Sequence, residues 1–248
     1  EVANAIEKIA MECSISKVYG SEVMWRNTDD GLQVFGGYGY IEDYPLAQMV
    51  RDTRVDRIYE GTNEINRLII TGYLLKKTLL EEVPIREKIK GIPDVLKGEF
   101  PNFANSPLAA EKSALEAARA FTLYVFNEAL IRYGQDILNK QQVGEVISDM
   151  LINLFVGQTA VARISQHLKE SSHPKELLAV AKVLIAEMMI EMNALGRKGL
   201  TGTLEGENLQ RALADAQTFA NYMLLPTNTF ELKNEIADLV YRDGKYPF

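Results

Sequence analysis

The stretch Gln33–Arg67, QVFGGYGYIEDYPLAQMVRDTRVDRIYEGTNEINR, places an acid, Glu60, in a tight turn between two helical patterns. Gly61 and the polar pair Thr62-Asn63 follow the acid, so the backbone can turn sharply there and begin a helix. The side chain of Glu60 can therefore project into a cleft, where a carboxylate is suited to abstract a proton. Taken alone, such a turn is more often a plain helix start than a catalytic site.

Four motifs follow one another at short spacing in this stretch: the glycine-rich block QVFGGYGY, a Tyr-Pro turn, an Arg-Asp pair and the sequence IYEGTNEI. In this order they resemble the acyl-CoA dehydrogenase family, and the resemblance is specific from about Glu22 to Leu75. It implies that Glu60, which stands between Tyr59 and Gly61, is the catalytic base.

The resemblance also implies the reaction. Removal of a proton alpha to a thioester carbonyl creates enolate character, so the site needs a base, hydrogen-bond donors for the carbonyl oxygen and an acceptor for the beta hydride. In the family, the acceptor is FAD, the substrate is a fatty acyl-CoA, and the product of this step of fatty acid beta-oxidation is a trans-2-enoyl-CoA. Tyr59 and Glu60 are then the expected substrate-binding residues, with the backbone N–H of Glu60 on the thioester carbonyl.

FAD binding falls on two segments by the same resemblance. The first contacts the adenosine and diphosphate portion of FAD from a neighbouring subunit and comprises Gln33, Val34, Phe35, Gly36 and Gly37. The second contacts FAD within its own subunit and comprises Gly61, Thr62, Asn63 and Glu64. A homodimer that passes electrons to an electron-transfer flavoprotein is implied as well.

From the residues alone, Gly36-Gly37 can also be an ordinary helix stop. The block GGYGY lacks the GxGxxG spacing of a dinucleotide-binding fold, and no strand pattern precedes it.

Composition excludes several other classes of function. With 34 acidic and 27 basic residues and a formal net charge of −7, the chain has no basic stripe for nucleic acid. The single cysteine, Cys13, excludes an internal disulfide and a cysteine metal cluster. It falls on the apolar stripe Ala5, Ile6, Ile9, Cys13, which predicts a packed thiol. His167 and His173 lack further ligands at metal spacing, so no metal site is expected.

Helical periodicity covers nearly the whole chain and predicts an all-α protein. Residues 1–82 are expected to form the C-terminal helical domain of the acyl-CoA dehydrogenase fold, with helices over about 2–35, 46–57 and 63–80. Proline and glycine then interrupt the pattern, which predicts a linker over 83–105 with one or two short helical turns.

Residues 106–248 are expected to form an additional antiparallel helical bundle. Ser106-Pro107 reads as the N-cap and first turn of its first helix, which is expected to continue to about Leu138. A helix beginning after Ser172-His173-Pro174 and a short last helix over 230–242 are also predicted.

The chain opens without methionine inside a helical pattern and carries no signal-peptide pattern, so we interpret it as a C-terminal part. Polar residues interrupt every apolar run, which predicts at most peripheral membrane contact. The bacterial cytoplasm is the expected location, with the mitochondrial matrix or inner-membrane surface as the alternative.

The additional bundle is typical of the very-long-chain branch of the family. Some relatives of that branch serve as assembly factors for a respiratory complex, so a non-catalytic scaffold that keeps the fold is an alternative function. Glu60 in an intact motif favours the enzyme. The present chain alone is expected to be inactive, because in the family the flavin-ring contacts come mainly from a middle β domain.

Overall fold

The computed structural model describes residues 7–248, in which the chain divides into two compact units, residues 7–80 and 81–248. Every regular element in the described part is helical, so the all-α prediction is confirmed.

The first unit is built from three long helices and one short turn of helix. They are α1 (Ala10–Phe35), α2 (Gly37–Tyr40), α3 (Pro45–Val55) and α4 (Asn63–Leu79). Helix α1 packs against α3 and α4, with Ile15, Val18, Ile70, Leu74 and Leu75 as its apolar core.

Local signals set the ends of these helices. Gly36 ends α1 at a φ of +57°, a left-handed value that favours glycine. Pro45 is the first residue of α3, where a missing N–H costs nothing. Thr62 caps α4, since its Oγ1 accepts a hydrogen bond from the N–H of Ile65 at 3.2 Å.

The second unit is a bundle in which α7 is covered on most of its faces. Its helices are α5 (Ile85–Lys90), α6 (Ile92–Leu96), α7 (Ala109–Tyr133), α8 (Gln141–His167), α9 (Pro174–Thr203), α10 (Gly206–Met223) and α11 (Thr229–Asp243). A 3₁₀ helix, Gly134–Asn139, joins α7 to α8. Helix α7 packs against α8, α9 and α10, and α9 also packs against α11. Phe121, Phe126 and Phe219 are fully buried in this core.

Two boundaries in this unit differ from the sequence-based expectations. Ser106 is not an N-cap: α7 begins at Ala109, and the Ser106 hydroxyl accepts a hydrogen bond from the N–H of Leu108 at 3.3 Å, before the helix starts. The helix ends at Tyr133 instead of near Leu138, because Gly134 takes a φ of +55°. Within 83–105, α5 and α6 both pack against α7.

The prediction of a packed Cys13 is wrong, because this residue is exposed. Ile9 is also 53% exposed, while Ala5 and Ile6 lie outside the described residues. Helix α1 instead buries the neighbouring face that carries Ser14, Ile15, Val18 and Ser21. Polar serines share that face, so an apolar count along the helix selects the wrong side.

One helix departs from the expected lack of membrane-length apolar segments. By length and composition α8 is apolar enough to cross a membrane, and half of its most apolar window is buried inside the protein. Its contacts with α7 and α9 make it a central helix of the bundle.

A polar cluster ties α7 to α10. The Tyr124 hydroxyl donates to Asp215 at 2.7 Å, and Arg211 donates to both oxygens of Glu128 at 2.9 and 3.0 Å. Burial and then the neighbouring Asp215 raise the pKa of Tyr124 well above its usual range. One nitrogen of Arg211, Nη2, thus contacts both carboxylate oxygens of Glu128, and this charge-assisted contact joins the two helices.

Candidate active site

The turn that carries Glu60, residues 57–62, has an unusual backbone. Glu60 has a φ of +54° and Gly61 a φ of +84°, so two consecutive residues are left-handed. Such a conformation costs a residue with a side chain roughly 1–2 kcal/mol, and the surrounding structure must offset that cost. The N–H of Asn63 closes the turn by donating to the carbonyl of Arg57 at 3.1 Å.

The carbonyl oxygen of Gly61 anchors this Glu60 turn to the rest of the unit. It accepts one hydrogen bond from Nδ2 of Asn66 at 2.7 Å and another from Nζ of Lys17 at 2.8 Å. A Cβ on Gly61 would lie 3.1 Å from the same Asn66 nitrogen, and its positive φ would strain any other side chain. The peptide that follows Glu60 is therefore held from two directions.

Asn63, at the start of α4, is the buried centre of the anchor. Its Oδ1 accepts from Lys17 Nζ at 2.8 Å, and its Nδ2 donates to Ser21 Oγ at 3.0 Å and to Glu22 Oε1 at 3.3 Å. Arg67 donates to the same Glu22 oxygen at 3.0 Å. Because Asn63 is fully buried, each of these partners removes a desolvation cost that would otherwise oppose the turn.

Lys17 is the lysine of this hydrogen-bonded network. Partial burial lowers the pKa of its ammonium, while the carboxylates of Glu60, Glu64 and Asp56 act in the opposite direction.

Glu60 itself is exposed in this chain. Within residues 7–248 its backbone N–H makes no hydrogen bond to another group of the protein. The carboxylate and the N–H are thus both available to a ligand. The neighbouring Tyr59 is 51% exposed, and its hydroxyl donates to Asp56 at 2.7 Å. That hydrogen bond and the charge of Asp56 raise the pKa of the Tyr59 hydroxyl.

Glu64 lies in the first turn of α4. Hydrogen bonding from its own backbone N–H, and then from the Thr62 hydroxyl, lowers the pKa of its carboxyl group, although burial acts in the opposite direction. A negative charge at this end of the helix also suits the helix dipole.

The first five residues of the glycine-rich block, 33–37, are called the glycine block from here on. All five are exposed, and Val34 is 84% exposed. Its two glycines, Gly36 and Gly37, differ in backbone conformation. Gly36 has a positive φ, whereas Gly37 has no such φ and no atom within 4 Å of where a Cβ would stand. Gly39 makes the close internal contact, because its Cβ would lie 2.6 Å from the Leu32 carbonyl oxygen.

The structure brings one set of expected site residues together and leaves the other apart. Gly61 and Asn63, which follow Glu60 in the chain, share one hydrogen-bonded network against α1. The glycine block lies at the far end of α1, about 24 Å along the helix axis from Lys17 at 1.5 Å per residue. In the described residues, 7–248, no cluster of three or more His, Cys, Asp or Glu side chains could hold a metal ion.

Sequence reasoning missed five residues of this network: Lys17, Ser21, Glu22, Asn66 and Arg67. A weak signal existed, because Lys17 and Ser21 are four residues apart and flank the buried Val18 on α1. Polar side chains on the buried face of a helix need partners, and those partners are Gly61 of the Glu60 turn and Asn63 at the start of α4.

Comparison with known proteins shows the family of the chain. Two family models, both described as the C-terminal domain of acyl-CoA dehydrogenase, match residues 1–75 and 117–217. A probable acyl-CoA dehydrogenase of Bacillus subtilis (strain 168) is 32% identical over 252 residues, which cover 99% of this chain. The chain belongs to the acyl-CoA dehydrogenase family.

Other acyl-CoA dehydrogenases give the same result. The crystal structure of an acyl-CoA dehydrogenase complexed with FAD from Bacillus anthracis is 32% identical, superposes with a TM-score of 0.91 and covers 100% of this chain. The very long-chain specific acyl-CoA dehydrogenase of Bos taurus is 28% identical over 232 residues, which cover 82% of this chain and 33% of that protein. The chain spans 42% of the length of each of the two Bacillus relatives.

Proposed function

We propose that this chain is the base-carrying portion of an FAD-dependent acyl-CoA dehydrogenase that converts a fatty acyl-CoA to a trans-2-enoyl-CoA. The observation that carries the proposal is the Glu60 turn: a carboxylate on a left-handed backbone, exposed to solvent and anchored from behind by Lys17 and Asn66. Strained backbone of this kind is concentrated at functional sites.

Both polar functions of Glu60 have a role in this reaction. The carboxylate takes the alpha proton of the thioester, and the free N–H donates to the thioester carbonyl oxygen as enolate character develops. Tyr59, the adjacent exposed aromatic residue, is proposed to contact the substrate. Because the base and the oxyanion donor belong to one residue, the backbone at Glu60 must be held rigidly for both to reach the thioester. The hydrogen bonds of the buried Asn63 support that rigidity.

Residues of both expected segments fit FAD. FAD, when bound, supplies the acceptor for the beta hydride. Gln33, Val34, Phe35, Gly36 and Gly37 are proposed to hold its adenosine and diphosphate portion from the neighbouring subunit, and the open space at Gly37 permits a close approach to a phosphate. Gly61, Thr62, Asn63 and Glu64 are proposed to hold FAD of their own subunit; Asn63, being buried, acts through the backbone that it positions.

The partners of the full-length protein are proposed on the same basis. They are a fatty acyl-CoA, a second copy of the protein and an electron-transfer flavoprotein as electron acceptor. Similarity to the very-long-chain enzyme of Bos taurus extends into the second unit, which supports beta-oxidation as the process. The relatives from Bacillus support a cytoplasmic location.

A reductive titration of the full-length protein tests the proposed function against the scaffold alternative. Anaerobic addition of acyl-CoAs of increasing chain length is expected to bleach the bound flavin. Flavin that stays oxidised with every acyl-CoA, in a protein that nevertheless binds another protein tightly, would support the scaffold.

The Gly37→Val variant tests the proposed FAD contact across subunits. In the full-length protein we expect weaker FAD retention and weaker dimerisation together, because a β-branched side chain occupies the space that a phosphate would approach. The flavin-to-protein ratio and the sedimentation coefficient measure the two effects. Gly202→Val is the matched control, since that helical glycine is also open. Dissociation to monomers with full flavin occupancy would contradict the coupling.

The 248-residue chain, produced alone, is expected to be colourless and inactive. Glu60 and the glycine block are both exposed in it, and the family resemblance assigns the flavin-ring contacts to a β domain. Correct placement of the hydride acceptor against the substrate is then missing. Absorbance of the purified chain and acceptor-dye reduction with acyl-CoA measure this. A yellow preparation that turns over substrate would relocate the cofactor site.

A further inference from the structure

The contacts of Lys17 are difficult to explain as helix stabilisation. Its ammonium lies at the N-terminal end of α4, where it contacts Gly61 and Asn63. The N-terminus of a helix carries partial positive charge, so a cation there opposes the helix dipole. A side chain that served only to stabilise α4 would be an acid or a small hydroxyl residue, and Thr62 already fills that position.

The two acceptors of Lys17 lie on either side of Thr62. The Gly61 carbonyl belongs to the left-handed backbone that follows Glu60, and the Asn63 side chain is the buried centre of the network. Each lies 2.8 Å from Nζ. Both bonds span more than 40 residues of sequence, so they bind the turn to α1 and not to its own helix.

We propose that Lys17 is a positioning residue for the catalytic base: it holds the Glu60–Gly61 backbone in its left-handed form and thereby aims the Glu60 carboxylate and N–H. The inference rests on the proposed function. Asn66 donates to the same carbonyl from within α4, so without Lys17 the Gly61 carbonyl keeps its local contact and loses its contact with α1. The unit then remains folded, but the base is free to leave the reactive orientation.

The test is rapid anaerobic flavin reduction in the full-length FAD-loaded enzyme, with an acyl-CoA and its alpha-deuterated form. In Lys17→Met we expect the bleaching rate per bound flavin to fall roughly 10²-fold, as for a misplaced reacting group. KM, FAD content and the thermal midpoint should stay near those of the unaltered enzyme. The alpha-deuterium isotope effect should rise, because proton abstraction limits the rate more strongly.

Two further substitutions at this position should give bleaching rates between those of Lys17→Met and the unaltered enzyme. Lys17→Arg can donate to both acceptors and should recover much of the rate, and Lys17→Gln should fall between Arg and Met. Lys8→Met is the matched control, because Lys8 is exposed and its side chain makes no hydrogen bond within the described residues. That control should react at the unaltered rate.

Parallel measurement of Glu60→Gln distinguishes failure of the positioning role of Lys17 from failure of the proposed function. If Glu60→Gln is inactive while Lys17→Met bleaches at the unaltered rate, the positioning role is overturned and the proposed function stands. If Glu60→Gln bleaches normally, the proposed function fails. A Lys17→Met enzyme that loses stability or FAD but keeps its rate per bound flavin would make the role of Lys17 structural. Failure of all three Lys17 variants to fold would lead to the same conclusion. Either result overturns the positioning role.

Discussion

Glu60→Gln in the full-length enzyme is expected to lose about 10³-fold in kcat while it keeps its fold and its bound FAD. Glutamine has nearly the shape of glutamate but cannot accept the alpha proton. Its backbone N–H is unchanged, so binding of the thioester carbonyl and hence KM should change little. A loss of this size corresponds to about 4 kcal/mol of transition-state stabilisation.

Steady-state dye reduction and single-turnover bleaching together measure this prediction. Glu42→Gln is the matched control: it is the same chemical change at an exposed side chain that forms a surface ion pair with Arg51, and such pairs contribute little. Turnover of Glu60→Gln within a few-fold of the control would remove Glu60 from the proton-transfer step.

Gly196→Ala is expected to lower the free energy of unfolding by about 2–3 kcal/mol. A Cβ at this position in α9 would overlap the ring of Phe121 on α7. Phe121 is fully buried and stacks on the fully buried Phe219, with ring centroids 5.0 Å apart. The ring therefore has no free space to move into, and the two helices must separate to admit one methyl group.

The control for this prediction lies on the same helix. Gly202 is also in α9, but a Cβ there meets nothing within 4 Å, so Gly202→Ala should leave stability unchanged or raise it by about 0.5 kcal/mol. Urea unfolding of the chain, followed by circular dichroism, measures both variants. Equal unfolding midpoints for the two substitutions would show that the α7–α9 contact is looser than the structure indicates.

Gly196 and Gly202 also show what local sequence cannot predict. Both occur in the segment GRKGLTG, and nothing local distinguishes a glycine that permits close helix packing from one that faces solvent. The same limit explains the error at Cys13, where the apolar stripe of α1 was chosen without knowledge of what α4 presents to it. Ser106 was misassigned because a good capping residue is common in turns as well as at helix starts.

The sequence by itself determined the helical class, the positions of most helix ends and the identity of Glu60 as the candidate base. These features depend on residues close together in the chain: a left-handed glycine after Phe35, a proline at the start of α3, a capping threonine before α4. The family motifs are equally local, which is why the resemblance could be recognised without a structure.

Only the tertiary structure decided what holds Glu60 in place. The contacts of Lys17, Ser21 and Glu22 with the Glu60 turn and the start of α4 cross more than 40 residues of sequence. Which side of α1 is buried depends on the packing of α3 and α4 against it, and that packing is a collective result of side-chain volume and hydrogen-bond satisfaction. The residue pattern within one helix indicates that the segment is helical. It does not identify the neighbouring helices, and these decide which face of the helix is buried.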